Sequence, residues 1–262
     1  MLASLGRHRE GALRLWQPDG RGGANLWAEV AFLPMGRCLA LRFDRSGERL
    51  AVMCEREVLL LDVATRLETA RVSNPHREVL IAFDLAANGA KLLTAGHEGE
   101  VTVWDTVTPA ATEIRRFSVR RSRRPGPLPR GHEPPEVWAV VVALSPDGSR
   151  AAAVTIEGTV YVWDLATGAE LLVDAHGEAG GPPAGSLRFF GDGRLLAPTG
   201  DRHGMRLFDV SRKTSQVVAS GSRAYHTVAI TDDATGFAAI TSVVDGGTLT
   251  YRVEIWQIES SR

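Results

Sequence analysis

Val137-Trp-Ala-Val-Val-Val-Ala-Leu144, Ser145-Pro-Asp-Gly148, Arg150-Ala-Ala-Ala-Val-Thr155, Glu157-Gly158, Thr159-Val-Tyr-Val-Trp163, Ala166-Thr-Gly168 and Glu170-Leu-Leu-Val173 follow one another with almost nothing between them. Four apolar or β-branched runs alternate with clusters of Gly, Pro, Asp, Ser and Thr. Each run is too short for a helix and is bounded by turn chemistry, which predicts four short antiparallel strands. The first run is apolar at successive positions, so both of its faces are buried. A strand of that kind belongs to a sheet sandwiched between two neighbours.

The unit repeats along the chain. Its third run ends on a large side chain in Leu13-Arg-Leu-Trp16, Val58-Leu-Leu-Leu61, Val101-Thr-Val-Trp104, Val160-Tyr-Val-Trp163, Met205-Arg-Leu-Phe208 and Val253-Glu-Ile-Trp256, at intervals of 45, 43, 59, 45 and 48 residues. A second series keeps the same beat: Gly47, Gly89, Gly148, Gly193 and Gly236, each closely preceded by Asp or Asn, are spaced by 42, 59, 45 and 43. Both series lengthen at the same place, which locates an insertion of about fifteen residues in a repeat of about 40–45. No segment sustains a helical period.

Trp104-Asp105, Trp163-Asp164, Gly131-His132 and Ser145-Pro-Asp-Gly148 resemble the signature of WD-repeat (WD40) β-propellers, and the resemblance runs from about Leu13 to Ile258. It implies an all-β fold of four-stranded blades, here about five plus a partial N-terminal one. It also implies a hydrogen-bonded network inside a blade: a His before the first strand, a hydroxyl on the second, an Asp in the next turn and the Trp of the third. The matching positions are His76, Thr94 and Trp104, with Glu98 replacing Asp. His132 and Trp163 match in the next unit, where Ala153 replaces the hydroxyl and Glu157 the Asp, and His176 matches in the one after.

With 262 residues, 44% of them apolar, the chain is long enough for one domain with a real core. Residues 1–262 read as that domain, with 1–12 an N-terminal extension and 115–130 an insertion. A net charge of −1 gives no global pull toward nucleic acid or an acidic membrane. No secretory leader and no membrane-spanning run is present in the sequence, which predicts a cytoplasmic chain with no membrane partner. Lys91 and Lys213 are the only lysines among thirty basic residues, a bias expected of a GC-rich, bacterial genome. Cys38 and Cys54 lie at almost equal distances from the turn Asp44-Arg-Ser-Gly47 and could face each other across two strands. In a reducing cytoplasm they read as two small buried hydrophobes.

The strands do not tile a ring neatly. The chain begins on a third strand at Leu13–Trp16 and a fourth near Leu26–Phe32, and it stops after a third strand at Trp256. Leu26–Phe32 could close the circle by completing the last blade. The alternative, which we favour on the pattern, is an open arc forming the C-terminal part of a longer protein, with exposed edges that invite dimerisation.

Arg115, Arg116, Arg120, Arg121, Arg123, Arg124 and Arg130 fall within sixteen residues that contain no acid. As a loop on the rim they would suit an acidic peptide or RNA. Their plain reading is a solvated insertion with no dedicated partner. There is no G-x-S-x-G elbow, H-E-x-x-H, P-loop or dinucleotide fingerprint, so no catalytic residue, cofactor or metal is expected. The expected function is a non-enzymatic scaffold for protein partners. The alternatives are the sensor portion of a larger protein carrying a kinase or NTPase effector and, last, a propeller hydrolase.

Overall fold

The computed structural model describes residues 2–5, 12–18, 27–34, 38–73, 75–76, 79–119, 139–155, 158–174, 187–198, 204–220, 224–231, 235–245 and 248–258. Among them the chain is all β, in six antiparallel sheets that follow the sequence order. The first sheet has three strands, β1 (Leu2–Leu5), β2 (Ala12–Pro18) and β3 (Trp27–Pro34). The second is β4 (Cys38–Phe43), β5 (Arg49–Cys54), β6 (Glu57–Asp62) and β7 (Glu68–Ser73). The third is β8 (Leu80–Leu85), β9 (Lys91–Gly96), β10 (Glu100–Asp105) and β11 (Thr112–Ser118). The fourth is β12 (Ala139–Leu144), β13 (Arg150–Thr155), β14 (Val160–Asp164) and β15 (Glu170–Asp174). The fifth is β16 (Arg188–Phe189), β17 (Leu195–Pro198), β18 (Gly204–Asp209) and β19 (Thr214–Ser220). The sixth has three strands, β20 (Ala224–Ile230), β21 (Gly236–Asp245) and β22 (Thr248–Gln257). These are the blades of a propeller, five of them after a partial N-terminal one.

Five apolar layers lie between successive sheets and form the core. The alternation of a strand explains how one sequence serves two layers. In each third strand the anchor (Leu61, Trp104, Trp163, Phe208 or Trp256) points back at the preceding sheet. In the first five sheets the residues one and three positions before the anchor point forward at the next. Val101 and Val103 of β10 thus meet Tyr161 and Trp163 of β14 over Ala151 and Ala153 of β13. The run of alanines leaves room for the aromatics, and Trp163 stacks on Phe117 with ring centroids 4.7 Å apart. Each aliphatic side chain buried in such a layer stabilises the fold by about 1.5–3 kcal/mol.

Two expectations and one less favoured alternative are corrected. Leu2–Leu5, assigned to the N-terminal extension, is a strand, pairing Leu2 with Trp16 and Leu5 with Leu13. The Leu26–Phe32 region does not complete the last blade: Trp27–Pro34 is hydrogen-bonded to β2, with Leu13 opposite Leu33. The edge of β22 carries no fourth strand among the described residues, and the first and sixth sheets are not hydrogen-bonded to each other. The third correction concerns the cysteines. Cys38 and Cys54 are directly opposite in the β4–β5 ladder and are joined as a disulfide rather than packed as two thiols. An antiparallel ladder brings facing Cβ atoms close enough for this.

Candidate functional site

Strands run alternately up and down in every blade, so the turns after the first and third strands gather on one flat face. The turns after first strands hold Gly47, Gly89, Gly148 and Gly193 at positive φ. Two residues after three of those glycines stands a base that reaches into the next blade. Arg49 Nη1 donates to Gly89 O (3.1 Å), Lys91 Nζ to Gly148 O (2.6 Å) and Arg150 Nη1 to Gly193 O (3.5 Å). This repeated latch fixes each blade against its neighbour on the turn face, and one of the two lysines is part of it. Between the fourth and fifth blades the same face has an open groove of about 220 Å³, lined by Asp147, Arg150, Phe190, Asp192 and Ser211. Burial pushes the Asp147 carboxyl up, but hydrogen bonds from Ser145 and Ser149 outweigh that and hold it below the usual carboxylate range. The groove is therefore charged and shaped, with its carboxylate already engaged.

The first strands contribute a cluster that the repeat pattern did not reveal. Asp84, on β8, is buried; its Oδ1 accepts from Leu85 N and its Oδ2 from Leu144 N of the next blade. It also pairs with Arg42 of β4 in the blade before, so one carboxylate ties three blades together. Arg188 occupies the equivalent place on β16, five residues before its turn glycine, as Arg42 and Asp84 do. Its Nη1 donates to Leu187 O at 2.8 Å. Burial, together with the positive Arg42, pushes the Arg188 guanidinium down to about 10, against the opposing pull of Asp84. Sequence reasoning missed these three because each is a single charge inside an otherwise apolar strand. The signal available was their common offset from the glycine.

The opposite face carries the blade network. Trp104 Nε1 donates to Thr94 Oγ1 (2.9 Å), Thr94 Oγ1 lies 2.9 Å from His76 Nε2, and His76 Nδ1 lies 2.9 Å from Glu98 Oε1. The directions are consistent for a neutral ring: Nδ1–H donates to Glu98 and Nε2 accepts the threonine proton. Glu98 spans the place of the shorter Asp because Gly96 makes room; a Cβ there would lie 2.5–2.6 Å from the Glu98 oxygens and the His76 ring. Burial pushes the His76 pKa down, against the attraction of Glu98. Glu100 completes a group of three possible metal donors with His76 and Glu98, all within 4.8 Å. His76 is used by Thr94 and Glu98, however, and Glu100 accepts from Arg116 at 2.5 Å.

In the fourth blade Trp163 is packed between rings, with Ala153 beneath where Thr94 stands in the third. In the first, Trp16 Nε1 donates to Ser4 Oγ at 3.0 Å, the same contact made by the strand the sequence reading left out. His132 and His176 lie outside the described residues.

The basic insertion divides in two. Arg115 and Arg116 are on β11 rather than in a loop. Arg116 pairs with Glu100 and Glu113 (2.7 Å), and Arg115 Nη2 donates to Ala166 O (3.1 Å) of the neighbouring blade. Strand and blade packing thus occupy these two. Arg120, Arg121, Arg123, Arg124 and Arg130 lie outside the described residues.

The WD domain, G-beta repeat, matches residues 126–164, the unit around the Trp163 anchor. A WD repeat-containing protein SL1-17 of Schistosoma mansoni is 27% identical over 164 residues, 52% of either chain, so the chain spans about half the length of that curated relative. Among solved structures, the Cps50 (Swd1) β-propeller domain of Myceliophteria thermophila superposes with a TM-score of 0.67 at 17% identity, covering 98% of this chain and 83% of that one. The repeat, its six anchors and the blade architecture agree with these likenesses, and the chain is a β-propeller that carries a WD repeat at residues 126–164.

Proposed function

We propose that the chain works as a non-enzymatic interaction platform for protein partners. The observation that carries this reading is the latch series. Arg49, Lys91 and Arg150 clamp successive blades at the turn face, so the turns and the groove beside Asp147 are held on a rigid frame that can recognise a partner by shape and charge. The polar clusters on the first strands and in the blade network are consumed in structure: Asp84 by two amides and Arg42, His76 by Thr94 and Glu98.

Within this reading the arginines from 120 to 130 are the acidic-partner element, since Arg115 and Arg116 are bound within the blades. The test replaces Arg120, Arg121, Arg123, Arg124 and Arg130 with Ser and compares binding of a labelled poly-glutamate peptide and of oligouridylate at matched salt. Loss of peptide binding by about tenfold or more is expected, in line with several charge-assisted contacts. Unchanged binding of the peptide would remove the loop from the platform, and loss confined to oligouridylate would make RNA the partner instead.

A further inference from the structure

Arg42, Asp84 and Arg188 stand five residues before their turn glycines on β4, β8 and β16, the first strands of the second, third and fifth sheets. The first strands of neighbouring sheets approach one another, so the equal offset sets the three side chains at a similar level. The fourth sheet has Ala143 at that offset and contributes no charge there.

Two of the three are matched to each other. Arg42 pairs with Asp84, whose oxygens also accept from Leu85 N and Leu144 N. Arg188 is left over. Its one hydrogen bond among the described residues runs from Nη1 to the carbonyl of its own neighbour, Leu187, at 2.8 Å, although a guanidinium has five N–H groups to satisfy. Burial pushes its pKa down to about 10, with the repulsion of Arg42 added and the attraction of Asp84 opposed. A partly buried cation that faces a second cation, with no bonded carboxylate of its own, is incompletely compensated. The cluster is also accessible, since Arg188 is only partly buried and the Arg42 side chain is 26% exposed.

We propose that Arg188, together with the Arg42–Asp84 pair, forms a binding site for a carboxylate group. The charge count selects the ligand. Two arginines and one aspartate leave a single net positive charge, which one carboxylate neutralises, whereas a phosphate dianion would bring surplus negative charge against the buried Asp84. The N–H groups of Arg188 not engaged by Leu187 suit paired hydrogen bonds to the two oxygens of a carboxylate. Arg42 adds its positive field and is itself held by Asp84. The carboxylate belongs to a small acid or to an acidic side chain of a bound protein; only the second source rests on the platform reading.

The test follows thermal unfolding of the native chain, R188M and R188K in increasing sodium acetate at pH 7, with sodium chloride holding the ionic strength constant, because a ligand bound only by the folded state raises the midpoint. The native midpoint is expected to rise with acetate, and to rise less with inorganic phosphate. R188M should bind acetate at least tenfold more weakly. In chloride alone it should be no less stable than the native chain, since it removes a charge that the fold leaves without a bonded partner. R188K keeps the charge without the fork and should fall between the two. A labelled poly-glutamate peptide separates the sources. Binding that acetate displaces and R188M abolishes, but that survives serine at Arg120, Arg121, Arg123, Arg124 and Arg130, identifies an acidic side chain; acetate binding that the peptide does not compete with identifies a small acid.

Three results would overturn the proposal. One is an acetate effect that is absent from the native chain or equal in R188M. Another is an R188M chain less stable than the native one in chloride, which shows that Arg188 is already satisfied within the fold. The third is a midpoint raised more by phosphate than by acetate, which removes the carboxylate as the ligand.

Discussion

Thr94 shows how much can rest on one side chain. Its hydroxyl accepts from Trp104, lies within bonding distance of His76 Nε2 and is fully buried, so Thr94→Val preserves shape while leaving an indole N–H and an imidazole nitrogen unsatisfied. Removing it should cost about 2 kcal/mol in urea unfolding, the usual penalty for orphaned buried polar groups. The same network predicts a pH dependence. Burial lowers the His76 pKa from its ordinary value of 6.5, so the folded state keeps the ring neutral where an unfolded chain would protonate it. The stabilising contribution is therefore complete above the unfolded pKa, and it is lost as pH falls from there through the lower folded value. Unfolding free energies at about pH 7.5 and 5.5 should differ less for His76→Gln than for the native chain. An equal difference in both would show that His76 is not the titrating group. The sequence made His76, Thr94 and Trp104 legible because they sit at fixed places in a repeat. It did not show that Glu98 could replace Asp, since that depends on the space over Gly96, a three-dimensional fact.

At the scale of elements, three of the turns after third strands follow one rule with three different residues. Asp62, Asp164 and Asp209 open them, and the residue four positions on adopts positive φ: Arg66 at 64°, Gly168 at 78° and Lys213 at 55°. The left-handed conformation costs a residue with a Cβ about 1–2 kcal/mol, and glycine's extra freedom when unfolded returns part of that. Arg66→Gly and Lys213→Gly should each gain about 0.5 kcal/mol, read as a rise in the urea midpoint with unchanged slope. The latch of Lys91 on Gly148 works in the opposite direction: Lys91→Met keeps the stem, deletes the donor and should cost about 1–2 kcal/mol. No change there would mean the latch is satisfied by water.

Strand order and turn positions were readable because apolar alternation and glycine placement are local. The latches were not, because their acceptors are main-chain carbonyls in the next blade, 40, 57 and 43 residues on, and the two arginines involved looked like composition. Leu2–Leu5 escaped for a related reason: four residues carry too little periodicity, and its assignment rests on pairing with β2 and on Ser4 meeting Trp16.

For the whole molecule, the decisive quantity is how many neighbours a blade has. The second to fifth sheets are each packed on both faces, whereas the first and sixth contribute to one layer apiece. In a stack whose stability is a sum of unit and nearest-neighbour terms, an end unit lacks one interface and opens first. Hydrogen exchange on a dilute, monomeric sample should therefore show a gradient. Amides of β9 and β13, flanked on both sides, should be the slowest, and those of β21 and β22 should exchange at least tenfold faster, a gap of about 1.4 kcal/mol in opening free energy. A closed ring gives every blade two neighbours and no gradient with position along the chain. Uniform protection from β4 to β22 would show that the first and sixth sheets meet in solution, and the open arc would give way to a ring.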